Sequence, residues 1–371
     1  MADNTPSVAI VGGGPVGMAL ALALQEAGVA VTVLEARARD AIKQDPRVLA
    51  LSYGSQQILQ RLGVWAHLPA TPINTIHVSR RGEFGRARMQ ASDLAVPALG
   101  YVLPARDLIG TLDQALRRLG IPYRDNSRVA SAGDVAELVP NSMLTVWAEG
   151  SVTDGAAQFH DYQQTAVLCS LKTRAAHGNV AWERFTADGP LALLPLGDEY
   201  SVVFTCAASD SAAFMALDDR EFIALLQSRF GQRHHFVAVG SRSSYPLTLR
   251  WRDEVIAARQ VWLGNAAQTL HPVAGQGFNL ALRDVCELSR QLSTNGGRRD
   301  PGAPEVLQAY AQARSGDRHS VIGFTNGLIE VFGSELEPLA QARGVGLMAL
   351  DMLPPLRNFL ARRMMFGARR W

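Results

Sequence analysis

Two glycine-punctuated stretches, one near each end of the chain, carry residue types and spacings that could do chemistry. The first reads Gly12-Gly13-Gly14-Pro15-Val16-Gly17. Glycines at 12, 14 and 17 meet the G-x-G-x-x-G spacing: the first permits a tight turn, the second lets backbone approach a pyrophosphate, and the third lets a helix pack on a strand. A helix N-terminus at this turn offers free N–H groups to an anion. Glu35 stands at the end of the next apolar run, where a carboxylate accepts hydrogen bonds from a ribose 2′-OH and repels a 2′-phosphate. The unit therefore suits the adenosine diphosphate of FAD or NAD rather than NADP. The second stretch runs from Gly264-Asn265 through His271-Pro272 to Gly275-Gln276-Gly277-Phe278-Asn279. Gly275 and Gly277 permit a loop whose backbone N–H groups point outward, and a helix beginning near Phe278 adds its N-terminus, an arrangement that can hold an anionic or electron-rich ring edge. His271, just before a proline, could orient a substrate or move a proton, or simply hydrogen-bond within its loop.

The elements that must position these loops follow from hydrophobic periodicity. Val8-Ala9-Ile10-Val11 is a short apolar strand, and Val16, Ala19, Leu20, Ala23, Leu24 and Ala27 repeat at helical spacing. Gly28 closes that helix and Ala30 to Leu34 reads as a second buried strand. Arg47 precedes an apolar strand and could be a surface cation or a cofactor contact. A helix is expected from Gly54 to Leu62, and another opens at Leu103-Pro104-Ala105-Arg106-Asp107. Residues 121 to 150 are the least readable, although Leu144 to Ala148 could be a strand returning to the first sheet. Between about 162 and 206 the texture changes to extended runs joined by turns at hairpin spacing, at Asp188-Gly189-Pro190 and Gly197-Asp198, which predicts an antiparallel sheet.

Composition narrows the classes. With 371 residues, 47% of them hydrophobic, the chain can hold one large or two medium domains. A net charge of +2 gives no sign of nucleic-acid binding. Cys169, Cys206 and Cys286 lie far apart with no C-x-x-C pair, so neither a metal site nor a disulfide framework is expected, and a reducing cytoplasm fits. The N-terminus shows no secretory pattern, and no apolar run is long enough to span a bilayer.

With both loops in view, the chain resembles the class A flavoprotein monooxygenases of the para-hydroxybenzoate hydroxylase type, and within them the ubiquinone-biosynthesis branch, the 2-octaprenyl-6-methoxyphenol hydroxylases in particular. The stretch from Gly264 to Asn279 carries the resemblance, supported by Glu183-Arg184-Phe185-Thr186 with Gly189 to Pro195, and by Tyr245-Pro246-Leu247. The resemblance implies an α/β fold: a Rossmann-like FAD-binding domain made of residues 1–72, 98–161 and 250–320, an inserted antiparallel β-rich substrate domain of residues 73–97 and 162–249, and C-terminal helices over 321–371.

It also implies roles. Gly12, Gly14 and Gly17 would hold the FAD pyrophosphate, Glu35 the adenosine ribose, and Arg106 the phosphate side, with Arg47 matching the family's arginine after the second strand. Asn265 would stand near the ribityl chain where the class usually has aspartate, and Pro272, Gly275, Gly277 and Asn279 would border the flavin ring, with His271 beside them. In the family a nicotinamide reduces FAD, O2 adds to give a flavin hydroperoxide, and an electron-rich phenol attacks it. NADH or NADPH would be a transient reductant, since no second G-x-G-x-x-G is present. Where the class commonly has Ala-Asp-Gly this chain has Ala148-Glu149-Gly150, with Asp154-Gly155 as an alternative. The implied substrates are O2 and a polyprenylated phenol. Leu347, Met348, Leu356, Phe359 and their neighbours, interspersed with Arg343, Arg357, Arg362, Arg363, Arg369 and Arg370, form basic amphipathic helices that could lie on the inner membrane surface or pack on their own domain. Partners from ubiquinone biosynthesis, or further copies of the chain, fit the same expectation. Two other readings stay open: an FAD oxidoreductase acting on a prenyl chain, and a non-catalytic scaffold subunit.

Overall fold

A computed structural model describes residues 7–150, 155, 157–293, 300–334 and 336–368. Met1 to Pro6, Asp154, Arg369 and Arg370 lie outside the described residues.

Ser7–Val11 is buried almost throughout, as its unbroken apolar run requires of a strand with both faces covered. It lies at the centre of a six-stranded sheet, parallel to Ala30–Leu34 on one side and to Ser142–Trp147 on the other. The expected return strand is thus present, in register from Val8 opposite Leu144 to Val11 opposite Trp147. Gln260–Trp262 and Tyr123–Arg124 extend the sheet on either side, and Ile256–Ala257 adds an antiparallel edge. Helices Pro15–Glu26, Ala105–Arg118 and Gln276–Ser293 bury their apolar faces in the same core.

The unreadable segment contains a further helix, Ala132–Leu138. Its signal was local: Ser131 and Asp134 form a reciprocal capping box, each side chain accepting from the other's backbone N–H.

A second, nine-stranded sheet is mostly antiparallel. From one edge it runs through Gln268–Thr269, Ser243–Arg252, Ala157–Thr173, Glu199–Ala207, Pro190–Leu196, Val180–Phe185, Thr75–Arg80 and Arg86–Gln90, and the ninth strand, Phe236–Val239, pairs off this path with Ala157–Thr173. The hairpin Thr75–Gln90 joins it through a parallel pairing with Val180–Phe185. The positions 161/162 and 249/250 fall inside strands Ala157–Thr173 and Ser243–Arg252, which run on from one region to the other. The irregularity at 161–164 is a bulge, with Gln163 at φ +53°, that bends the ladder without ending it.

Helix Asp219–Phe230 covers one face of this sheet with Phe222, Leu226 and Phe230. Burial of each such side chain contributes roughly 1.5–3 kcal/mol. Three helices, Pro304–Gly333, Glu337–Met352 and Pro354–Phe366, lie on the other side, and each opens with proline in its first turn, where the missing N–H has no intrahelical partner to lose. Position 320/321 falls inside the first of them. Phe332 stacks on Phe185 of the sheet with ring centroids 3.9 Å apart. A buried ionic cluster fastens Pro304–Gly333 to Gln276–Ser293: Arg314 pairs with Asp284 at 2.6 Å and with Asp317 at 2.8 Å, and Arg283 pairs with Asp317 at 2.8 Å.

Candidate functional site

The first glycine turn is as tight as its spacing requires. Gly12 has φ +110°, and a Cβ there would stand 2.6 Å from the Ala148 carbonyl oxygen. At Gly17 a Cβ would stand 2.0 Å from the Gly12 carbonyl oxygen. Gly14 differs: nothing lies within 4 Å of where its Cβ would be, and as N-cap it leaves the helix without a side-chain cap. Unpaired N–H groups of the first turn therefore meet open space. Glu35 is buried at the rim of this opening, its Oε2 accepting from Gly13 N at 2.8 Å and its Oε1 from Arg37 N at 3.0 Å.

The two departures from the class pattern meet beside this turn. Glu149 is held above the ordinary carboxylate range by burial and by the charge of Glu35. Asn265 donates from Nδ2 to the carbonyl of the next residue, Gly150, at 3.3 Å. Gly264, at φ +57°, sits against Val16 of the first helix, so the second glycine stretch begins where the first ends.

Arg47 and Arg106 share one end of the ribbon formed by Val48–Ser52 and Gly100–Pro104, where Ala105 N donates to the Arg47 carbonyl at 2.8 Å. Their guanidinium groups differ. Arg47 forks onto Asp45, with Nη2 2.6 Å from Oδ2 and Nε 2.9 Å from Oδ1. Arg106 has a side chain 67% exposed, and its pairing with Asp107 spans 3.9 Å.

In the second stretch His271 is 1% exposed, and its ring meets Tyr162 edge-on at 5.2 Å. Its Nδ1 accepts from Val273 N at 3.1 Å, leaving Nε2 without a partner. Burial pulls its pKa down to about 3, so the imidazole is neutral at physiological pH. Ala274 and Gly275 both turn through the left-handed region, at φ +61° and +59°. Asn279 uses its amide inside the protein: Oδ1 accepts from Ser52 N (2.8 Å) and Ser55 Oγ (2.7 Å), while Nδ2 donates to the carbonyls of Ala50 (3.0 Å) and Gly275 (2.7 Å). With that geometry Asn279 ties the loop to strand Val48–Ser52. Pro272 to Gly275 form one end of a cavity of about 460 Å³, walled by the large sheet and the three C-terminal helices. Its lining is almost wholly apolar.

The chain matches the FAD binding domain family over residues 5–140 and 145–324. It belongs to that family. It is 32% identical to ubiquinone hydroxylase UbiL of Rhodospirillum rubrum, an alignment covering 98% of this chain and 90% of that protein. It is 30% identical to 3-demethoxyubiquinol 3-hydroxylase of Escherichia coli, covering 96% and 98%. Among solved structures, p-nitrophenol 4-monooxygenase PnpA from Pseudomonas putida shares the fold with a TM-score of 0.72 at 18% identity, covering 99% of each chain.

FAD is therefore the cofactor of this fold, and the turn at Gly12 to Gly17 fits it: crowded where helix and strand must meet, open at Gly14 where a pyrophosphate needs room. The structure brings Gly12, Gly14, Gly17, Glu35 and Asn265 to one region and places Pro272 to Gly275 against the cavity, with His271 buried behind them. Gly277 has open space where a Cβ would stand. What sequence reasoning missed is the cavity wall. Glu183, Arg343 and Arg357 are its charged lining residues among those described. The available signal for Glu183 was parity, since it alternates with the apolar Ala181 and Phe185 on one strand.

Proposed function

We propose that the chain is an FAD-dependent monooxygenase that hydroxylates the aromatic ring of a polyprenylated phenol, a ubiquinone precursor, with O2 as oxidant and NADH or NADPH as transient reductant. The observation that carries this reading is the apolar cavity ending on the Pro272–Gly275 loop, in a chain similar over nearly its whole length to proteins named as ubiquinone hydroxylases. Such a cavity takes an aromatic ring and the first part of an apolar tail.

Bound FAD would supply the activation of O2, from which one oxygen atom reaches the ring. The protein's own residues bind, orient and exclude water. Gly12, Gly14 and Gly17 hold the pyrophosphate, Glu35 the adenosine ribose, and Arg106 the phosphate side, with Arg47 restrained by Asp45. Asn265 faces the ribityl chain. Pro272, Gly275 and Gly277 border the flavin ring, with the first-turn N–H groups of helix Gln276–Ser293 at its edge, and neutral His271 fixes the loop that leads into that helix, while Asn279 holds the loop on its strand. The apolar wall keeps the reacting centre dry. The division into an FAD-binding part (1–72, 98–161, 250–320), a β-rich substrate part (73–97, 162–249) and a helical end (321–371) divides these tasks by region, although strands Ala157–Thr173 and Ser243–Arg252 and helix Pro304–Gly333 run across its bounds.

No helix among the described residues is long and apolar enough to cross a membrane. Contact with the surface of the inner membrane is supported by exposed apolar side chains on the last two helices, among them Met352, Leu356 and Phe359, near Arg362 and Arg363.

The testing experiment is an absorbance spectrum of the purified chain in the flavin region, before and after anaerobic NADH or NADPH with a short-tailed methoxyphenol, followed by product analysis under labelled O2. Flavin that bleaches faster with the phenol, and label in the product ring, are expected. A chain that binds no flavin, even when FAD is added back, rejects the hydroxylase reading.

A further inference from the structure

We propose that Glu183 is a catalytic residue of this cavity: its carboxylate takes the phenolic proton of the substrate, so that the ring is oxidised as its phenolate. The inference rests on the hydroxylase reading and adds to it the group that activates the ring.

Strand register places this carboxyl. Glu183 lies opposite Val78 on one neighbouring strand and Ala192 on the other, and these lie opposite Ala87 and Val203. The row Ala87, Val78, Glu183, Ala192, Val203 crosses five strands, and every member lines the cavity. Because paired residues share a face, Glu183 is the one ionisable member of an apolar row. Its Oε1 is out of contact with solvent and has no hydrogen-bond partner. Trp182 and Arg184, its chain neighbours, point to the opposite face, where the Arg184 guanidinium lies 5.9 Å from the Phe230 ring centroid.

The other charged groups facing the cavity have partners. Arg343 is bound to Glu83 and to the carbonyls of Val331 and Ser334. Arg357 is bound to Asp93 at 3.1 Å and to the Asp351 carbonyl at 2.7 Å. His271, behind the far end at Pro272, stays neutral. From the same sheet face Thr205 adds a hydroxyl that also has no partner, two residues beyond Val203, where it can bond a second oxygen substituent of the ring.

An isolated carboxyl in apolar surroundings is costly unless it is used. Burial, with no compensating cation, pushes the Glu183 carboxyl up to about 7. A phenol of ordinary acidity, about 10, then lies about three powers of ten from its proton acceptor, against about six for an unperturbed carboxylate. In the step, the phenolic O–H bond breaks, its electron pair stays on the ring oxygen, and an O–H bond forms on Glu183. The phenolate raises electron density at the ring carbon that receives oxygen. When that carbon loses its hydrogen as a proton, which ends in the water formed from the second oxygen atom of O2, the Glu183 carboxylic acid returns a proton to the phenolate oxygen and is again a carboxylate.

The test uses the full FAD-loaded chain, with Glu183→Gln and Glu183→Asp, and 2-methoxyphenol bearing one prenyl unit as probe. Ultraviolet difference spectra, taken without reductant, read binding of the phenol. In the parent chain the single-turnover rate should rise with pH through about 7, as the carboxylate forms, and that rise should be absent in Glu183→Gln, which should keep its flavin and bind the phenol within a few-fold. Single-turnover hydroxylation should fall about 10²–10⁴-fold in Glu183→Gln, and Glu183→Asp should restore part of the rate and of its pH dependence. A Glu183→Gln chain that keeps the parental rate or the parental pH profile overturns this proposal alone. A parent chain that holds flavin but neither binds nor hydroxylates the phenol overturns the functional reading and this proposal together.

Discussion

Asp317 and Glu183 both hold carboxyl oxygens away from solvent, and the chain surrounds them in opposite ways. Asp317 Oδ2 accepts from Arg283 Nε and Arg314 Nη2, each at 2.8 Å, and its Oδ1 accepts from Ala368 N at 2.8 Å. Burial alone would raise its pKa, but the two guanidinium groups hold it below the ordinary carboxylate range. Glu183 meets no such cation and is raised. The first carboxylate joins two helices and the C-terminal segment. The second faces empty space of a substrate's size. Paired burial of charge is architecture, and unpaired burial beside a cavity is a site for chemistry.

The largest effect should come from breaking the paired member. Asp317→Ala leaves Arg283 and Arg314 buried without their shared anion, and should lower unfolding free energy by about 3–5 kcal/mol in a denaturant titration. A loss below about 1 kcal/mol would show that the cluster is not structural in this sense.

The unpaired member should respond with the opposite sign. A folded-state pKa of about 7, above the ordinary carboxyl value of 4.5, means that between these pH values the folded chain keeps a proton that the unfolded chain releases. Stability should therefore fall as pH rises through this window, by at most about 3 kcal/mol. Glu183→Gln should remove that fall, matching the parent chain at pH 4.5 and exceeding it at pH 8 in thermal unfolding. The Asp317 contribution runs the other way, present above the ordinary carboxylate range and lost as pH falls through its lowered folded value. Equal pH dependence in the parent chain and Glu183→Gln would break the contrast between the two sites.

How much of this was legible in the sequence depends on how far each feature reaches along the chain. Gly12, Gly14, Gly17 and Glu35 were readable because turn, helix and terminal acid lie within one strand–helix–strand unit, each with its own local signal. The loop from His271 to Gly277 was readable for the same reason. The cavity was not, because its wall is assembled from strands as distant as Thr75–Arg80 and Glu199–Ala207 and from helices beyond residue 303. Asn279 was expected beside the flavin ring, yet its four hydrogen bonds reach Ala50, Ser52, Ser55 and Gly275, partners that only the fold brings near. Glu183 lies between these extremes: it stood in a stretch that supports the family resemblance, and strand alternation gives the parity it shares with Ala181 and Phe185, but nothing local says that this face encloses space.

The smallest predicted effect carries the same contrast to the surface, where charge is cheaper and solvent screens it. Arg47 is held bidentately by Asp45, whereas Arg106, one position along the same ribbon end, is more exposed and only loosely paired. A phosphate approaching this end must compete with Asp45 for Arg47 but meets Arg106 almost unopposed. Arg106→Ala should weaken FAD binding about tenfold in a fluorescence titration, with the loss shrinking as salt is raised. Arg47→Ala should change it less, because the gain of a phosphate contact is offset by the loss of the Asp45 pair. If Arg47→Ala has the larger effect, Asp45 is not a competitor but a support that aims Arg47 at the cofactor. The rule separating paired from unpaired charge would then hold for the buried sites and fail at the rim.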